Sequence, residues 1–362
     1  MLIYTCISGH GFGHGSRTAA VLTELHRLRP SWRLVISTNL PASFLAAAMG
    51  PVPYELRPCR WDVGVIQADA LSADPLATLA ALEQLELALP EQLVNEASWL
   101  QDQGQPLLVL GDVPPAAALL AERLEAKMVW LASFGWEAIY GSMGPAFAAW
   151  AARCVELYRQ GDLLLRCPLA MPIHWGIPEL RIGLTAGRPR CDAQQLARQL
   201  QLPPQRERCV LVSFGGLGAA VDPALLGRWP EHLFIGSDPS LASMPNGRLL
   251  PEGLRPLEVM PLCERMITKP GYSSFCEAFS ADVGIHLVHR EGFSEAPVLE
   301  EALQRHGRHR LLSQAQFHAA DWQLDQPLLA PSEAPIPSGG STEAAKAIAN
   351  VVDTEQHGLE LA

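Results

Sequence analysis

CISGHGFGHGSRTAAVL, residues 6–22, sets four glycines and two histidines between an apolar start and a helix-like run. With the buried-strand pattern LIYTCI (2–7) before it and helical periodicity over 16–29 after it, the stretch reads as strand, glycine loop, helix. Glycine at such a junction lets backbone N–H groups approach an anion at the positive end of the helix. It equally serves a tight turn, or a metal site if the histidines converge.

Outward from the loop come strand RLVIS (33–37), helical segments over 75–100 interrupted at Pro90, strand LLVLG (107–111), helix 116–126 and strand KMVWLA (127–132). This alternation implies a parallel sheet covered on both faces. A Pro/Gly-rich passage over 168–190 marks a crossing, after which the pattern restarts. Strands CVLVSF (209–214), HLFIGS (232–237) and RMITK (265–269) lead to the helix YSSFCEAFSA (272–281), strand VGIHLVH (283–289) and helix 296–306. A Pro/Ser/Gly loop (331–341) precedes a last helix over 342–352. The expected fold class is α/β: two doubly wound Rossmann-like domains facing a cleft, 1–175 and 190–340, with 341–362 a C-terminal helix and tail.

A net charge of −11 without basic blocks argues against nucleic acid as a partner. Eight scattered cysteines with no C-x-x-C pair suit a reducing cytosol. With no leader-like h-region and no apolar run long enough to span a bilayer, the expectation is a soluble, cytoplasmic protein without a transmembrane segment. From Gly11 the frame reads GFGHGS, which breaks the G-x-G-x-x-G fingerprint, and STN (37–39) stands where an acid would hold a ribose, so NAD is disfavoured. The phosphate-loop motif G-x-x-x-x-G-K-[ST] is absent, and the whole chain has three lysines. Neither H-E-x-x-H nor D-x-D occurs, and the loop histidines lie four apart across glycines, so no metal and no bound cofactor are expected.

Six stretches carry a family likeness: SGHGFGHGSR (8–17), GDVPPAAA (111–118), SFGWEAIY (133–140), VSFGG (212–216), TKPGYSSFCEA (268–278) and REGFSEAPVLEEAL (290–303). In these the chain resembles nucleotide-sugar glycosyltransferases of the GT-B fold, and in particular the glycosyltransferase-like N-terminal half of plant-type L-arabinokinases. The kinase half has no counterpart here.

The resemblance implies an acceptor site on the N-terminal domain and a nucleotide-sugar site on the C-terminal one. On the donor side, Gly271 and Glu277 look like the glycine turn and the carboxylate that receives two ribose hydroxyls; a glutamate in a first helical turn also favours the dipole with no ligand. Ser273 and Ser274 offer hydroxyls to the donor or cap the helix, and Lys269 meets diphosphate or reaches solvent. Gly215 and Gly216 look like a diphosphate loop, or form a plain β-to-α turn. Glu295 contacts donor-sugar hydroxyls or sits near a helix cap, with Pro297 opening the helix.

On the acceptor side, the resemblance makes His14 the general base and Asp112, at the end of a parallel strand, its orienting carboxylate. His10 is the rival base. Gly11 and Gly13 belong to the acceptor-side loop. Arg17 meets an acceptor phosphate or carboxylate, or takes the commoner fate of a surface ion pair. Trp136, with Phe134 and Tyr140, stacks on a sugar or fills a core. The implied activity is inverting, metal-independent transfer from a nucleoside-diphosphate sugar, such as a UDP-sugar, to a small-molecule or glycan acceptor. The alternative is a non-catalytic nucleotide-sugar or sugar-phosphate binding module. A sugar-nucleotide epimerase would need a further acid/base set that the sequence does not display.

Overall fold

Strand β1 (Leu2–Ile7) is buried at every residue, as expected of an apolar run covered on both sheet faces. It is followed by α1 (Phe12–Leu28), β2 (Arg33–Thr38), α2 (Ala42–Met49), β3 (Glu55–Pro58), α3 (Pro75–Asp102) and β4 (Leu107–Asp112). Then come α4 (Ala117–Arg123), β5 (Lys127–Ala132), α5 (Trp136–Ser142), α6 (Ala148–Tyr158), β6 (Leu163–Arg166) and β7 (Glu179–Arg181). The seven strands form one parallel sheet in the order β3-β2-β1-β4-β5-β6-β7. The order reverses between β1 and β4. In open α/β sheets the crevice beyond the carboxyl ends of two such strands is where ligands bind. The computed structural model describes residues 1–66, 74–215, 222–290 and 293–360.

A second unit begins at Ala186 and ends at Ser338. It holds α7 (Ala193–Gln199), β8 (Cys209–Val212), β9 (Leu233–Gly236), β10 (Gly247–Leu249), β11 (Arg265–Thr268), α8 (Tyr272–Ser280), β12 (Gly284–Val288), α9 (Glu295–His306), β13 (His309–Leu312) and α10 (Gln314–His318). Its parallel sheet runs β10-β9-β8-β11-β12-β13, with the reversal between β8 and β11. Phe214, Phe234, Ile267, Phe317 and Trp322 are buried in its core.

The last helix, α11 (Gly340–Glu360), returns to the first unit and packs on α1. Arg29 pairs with Asp353 at 2.7 Å, and Thr342 Oγ1 donates to Glu24 at 3.1 Å. A Cβ on Gly340 would strike the backbone of Gly183, whose N–H donates to Glu343 at 2.8 Å. Residues 341–362 are expected as a separate helix and tail; the helix instead belongs to the first unit, with its contacts reaching as far as Asp353.

Four further differences have physical causes. The opening helix starts at Phe12, four residues earlier than periodicity suggests, because Gly15 within it and Gly9 ahead of it serve close packing and not a loop. A Cβ on Gly15 would lie 2.5 Å from Phe44 and 2.8 Å from Leu40, and one on Gly9 would collide with Asn39. Pro90 does not interrupt α3: it and Glu86, whose carbonyl would have received the missing hydrogen bond, are exposed to water. The strand expected over 209–214 stops at Val212. Strands β3, β6, β7, β10 and β13, of three or four residues each, lacked a run long enough to show alternation.

Candidate active site

At the first reversal, Ile7 of β1 stands in register with Asp112 of β4, and Ser8 N–H donates to the Asp112 carbonyl. The Asp112 side chain is fully buried. His14 Nδ1 lies 2.9 Å from its Oδ1, Thr18 Oγ1 donates to Oδ2 at 2.5 Å, and Arg17 clamps both oxygens, with Nε donating to Oδ2 at 2.8 Å and Nη2 to Oδ1. Burial pushes the Asp112 pKa up, but the Arg17 guanidinium, its hydrogen bonds and His14 outweigh burial and bring it down to about 2. An ionised carboxylate only accepts, so Nδ1–H of His14 donates to it and Nε2 is left as the basic nitrogen.

The helix start at Phe12 places His14 in the first turn of α1 and not in a loop. Its ring is nearly buried and meets Phe134 edge-on at 5.6 Å. The rival His10 faces another way: its Nδ1 accepts from Val65 N–H at 3.2 Å and its ring meets Trp136 edge-on. Gly11 is the extended N-cap of α1, with open space where a Cβ would be, while Gly13 lies inside the helix.

Two acceptor-side side chains are buried. Arg17 is 1% exposed and, where an acceptor anion or a surface ion pair is expected, its guanidinium lies on Asp112 and on Ser133 Oγ (2.7 Å). Trp136 is fully buried and presents no stacking face to solvent; its Nε1–H donates to Asp62 at 2.8 Å. Sequence reasoning missed Asp62, which lies in the stretch CRWDVG (59–64) without periodicity or a familiar motif. A clue that only the backbone holds is Val113, next to Asp112. Its φ of 81° is costly for a β-branched residue, and its carbonyl is held by the Tyr158 hydroxyl at 2.7 Å.

At the second reversal, Thr268 Oγ1 at the end of β11 donates to the Ser213 carbonyl beyond β8 at 2.6 Å. Gly215 follows with φ +74°, a left-handed position that favours glycine; Gly216 lies outside the described residues. Gly271 is the extended N-cap of α8, so Ser273 and Ser274 stand inside the helix and neither is its N-cap. Glu277 falls in the second turn, beyond the turn where a carboxylate serves the dipole well. Its pKa is raised to about 7 by burial, opposed by Arg255 and reinforced by Glu258. Glu295 is the first residue of α9 behind Ser294, which puts Pro297 third in the helix and not first.

Lys269 follows β11 and Arg290 follows β12, both half-buried. The Lys269 pKa is lowered by burial and then by Arg290, and burial also lowers Arg290, with Glu295 opposing. Arg290 Nε is also buried without a hydrogen-bond partner among the described residues, which leaves a donor suited to an anion. Arg290 was not singled out in the sequence because its partner lies 21 residues away on the neighbouring strand.

Among the described residues no group of three or more His, Cys, Asp or Glu side chains is placed to hold a metal, and no helix is long and apolar enough to cross a membrane.

No protein-family model matches the chain. Over 307 residues, 82% of its length, it is 26% identical to an L-arabinokinase of Arabidopsis thaliana, and it spans about 29% of that protein. Among solved structures, a Polygonum tinctorium UDP-glucosyltransferase capable of glucosylating indoxyl aligns with a TM-score of 0.62 at 13% identity, covering 97% of this chain and 98% of that one. The glycotransferase of kitacinnamycin aligns at 0.61 and 16% identity, covering 96% and 98%. Phytolacca americana UGT2, complexed with UDP-2fluoro-glucose and pterostilbene, aligns at 0.60 and 12% identity, covering 90% and 88%. Two Rossmann-like sheets with matching strand orders and these likenesses make the fold of this chain GT-B.

Proposed function

We propose that the protein is a glycosyltransferase that moves a sugar from a nucleoside-diphosphate sugar to an acceptor hydroxyl, with inversion and without a metal. The observation that carries this reading is the buried His14–Asp112 pair at the switch point of the first sheet. In the reaction, His14 Nε2 takes the acceptor proton as the acceptor oxygen bonds to the anomeric carbon from the face opposite the leaving group. The bond from that carbon to the diphosphate oxygen breaks, and the departing charge falls to Lys269, Arg290 and the N–H groups opening α8. Asp112 stabilises the imidazolium, and Arg17 and Thr18 fix Asp112. Glu277 receives ribose hydroxyls, and Glu295 the donor sugar. Eight free cysteines support a cytoplasmic setting.

The UDP-sugar named with one compared structure makes UDP-sugars the first donors to try. A thermal-shift panel of UDP-, GDP-, ADP- and TDP-sugars, each with and without a chelator, tests the reading, since a ligand that prefers the native state raises its melting temperature. Stabilisation by one nucleotide in the presence of chelator, followed by transfer, is the expected result. Tight nucleotide-sugar binding with no turnover over a broad acceptor panel would instead favour the binding-module reading.

A further inference from the structure

The first unit contains a second, smaller feature that the dyad does not use. Between α3 and α6 lies a cavity of about 60 Å³ walled by Leu82, Leu89, Tyr140, Trp136 and Leu157, and lined also by Asp62. In this measure a single water needs about 10–15 Å³, so the space admits about four waters or one six-membered ring. Glu86 of α3 and Arg153 of α6, both exposed, pair with each other along its border.

Asp62 is 7% exposed and accepts from Trp136 Nε1 at 2.8 Å. A carboxyl group offers about four acceptor positions, so one indole N–H leaves capacity for a further donor. One neutral donor does not repay the burial of a carboxylate. Trp136, which bonds Asp62, meets Phe134 edge-on at 5.2 Å, and Phe134 meets the His14 ring at 5.6 Å, so two aromatic rings link the polar end of the cavity to the base.

We infer that this cavity binds a small, neutral, single-ring alcohol whose hydroxyl donates to Asp62. Apolar walls leave the many hydroxyls of a free sugar without partners, which disfavours a sugar. Glu86 and Arg153 neutralise each other, and burying an ammonium ion or a carboxylate against these apolar walls costs more than burying one hydroxyl, which favours a neutral ligand. That the alcohol is the sugar acceptor rests on the transferase reading; its binding does not.

Cyclohexanol, cyclohexylammonium and glucose serve as probes of the purified chain, followed by tryptophan fluorescence and ligand-observed NMR. Cyclohexanol should bind, Asp62→Asn should weaken it about tenfold, and Leu85→Trp, which fills the space from the half-buried face of α3, should abolish it. Circular dichroism and thermal melting establish that both variants fold. Absence of cyclohexanol binding, tighter binding of cyclohexylammonium or glucose, or unchanged binding in folded Leu85→Trp would each overturn the inference. Cyclohexanol binding that needs Asp62, without sugar transfer from any donor, would uphold the cavity and defeat the transferase reading. Transfer to an acceptor that cyclohexanol does not compete with would uphold the transferase and defeat the cavity as its acceptor site.

Discussion

His14 Nδ1 lies 2.9 Å from Asp112 Oδ1, and Arg17 Nη2 stands 3.1 Å from the same nitrogen while donating to that same oxygen. The carboxylate therefore serves a permanent cation and an imidazole together. His14→Ala should leave donor affinity nearly unchanged, because the residues proposed for the donor lie on the other sheet, and should slow transfer about 10²–10⁴-fold. Asp112→Asn should slow it in the same direction, and the double variant should cost much less than the product of the two, since the residues act as a unit. Transfer and nucleotide binding measured side by side check this; full activity in His14→Ala would return the base to His10.

Asp112 also ties stability to pH. Its folded pKa of about 2 lies below its ordinary value of 3.8, so the unfolded chain takes up this proton first. The resulting stability, about 2–3 kcal/mol, is complete above the ordinary value and is lost as pH falls through about 2. Urea unfolding at descending pH should show the loss, and Asp112→Asn should remove that part of the slope while lowering stability near neutral pH.

Glu277 behaves oppositely. With its folded pKa raised to about 7, its contribution to stability is full below its ordinary value of 4.5 and disappears as pH rises through about 7. A ribose needs the ionised carboxylate as acceptor, so nucleotide affinity should climb as pH passes through about 7, with release of a proton. Titration calorimetry in buffers of different ionisation enthalpy measures that proton. Glu277→Ala should weaken binding by about 1–3 kcal/mol and flatten the dependence; unchanged affinity would remove Glu277 from the donor site.

Arg290→Met should lower affinity for a nucleoside diphosphate about tenfold or more, the loss of one charge-assisted contact. The same change relieves Lys269 of a like charge, so the unliganded protein should be as stable as before and the Lys269 pKa should move back up. Pyrophosphate should lose affinity as the nucleotide does, whereas the bare nucleoside should not; calorimetry with the three ligands reads the pattern.

The strand-glycine-helix beginning of the first sheet was legible because it pairs a buried apolar run with glycines; in the second sheet only the strand β8 and Gly215 of that pattern fall among the described residues before 222. The likeness of the 8–17 and 111–118 stretches to a known family pointed to His14 and Asp112, 98 positions apart. Their partners were not legible. Arg17 looked like a surface cation, since nothing local says that its helical face meets a carboxylate from another strand. Asp62 depends on where a non-periodic loop lands, and Arg290 on a neighbour brought in by sheet pairing. Glycines 9 and 15, which resembled an anion cradle, owe their identity to side chains some 25 to 30 positions away. Tertiary contact, which a local pattern does not encode, decided each of these.

The return of α11 to α1 sets an order of events during synthesis. The second unit is complete once Ser338 has emerged, while the first still waits for the helix that covers α1. A chain translated from its N-terminus folds domains as they are completed. Here the half made first would finish last, and its uncovered α1 face would be open to chaperones, or to another nascent chain, for as long as the ribosome takes to write the second.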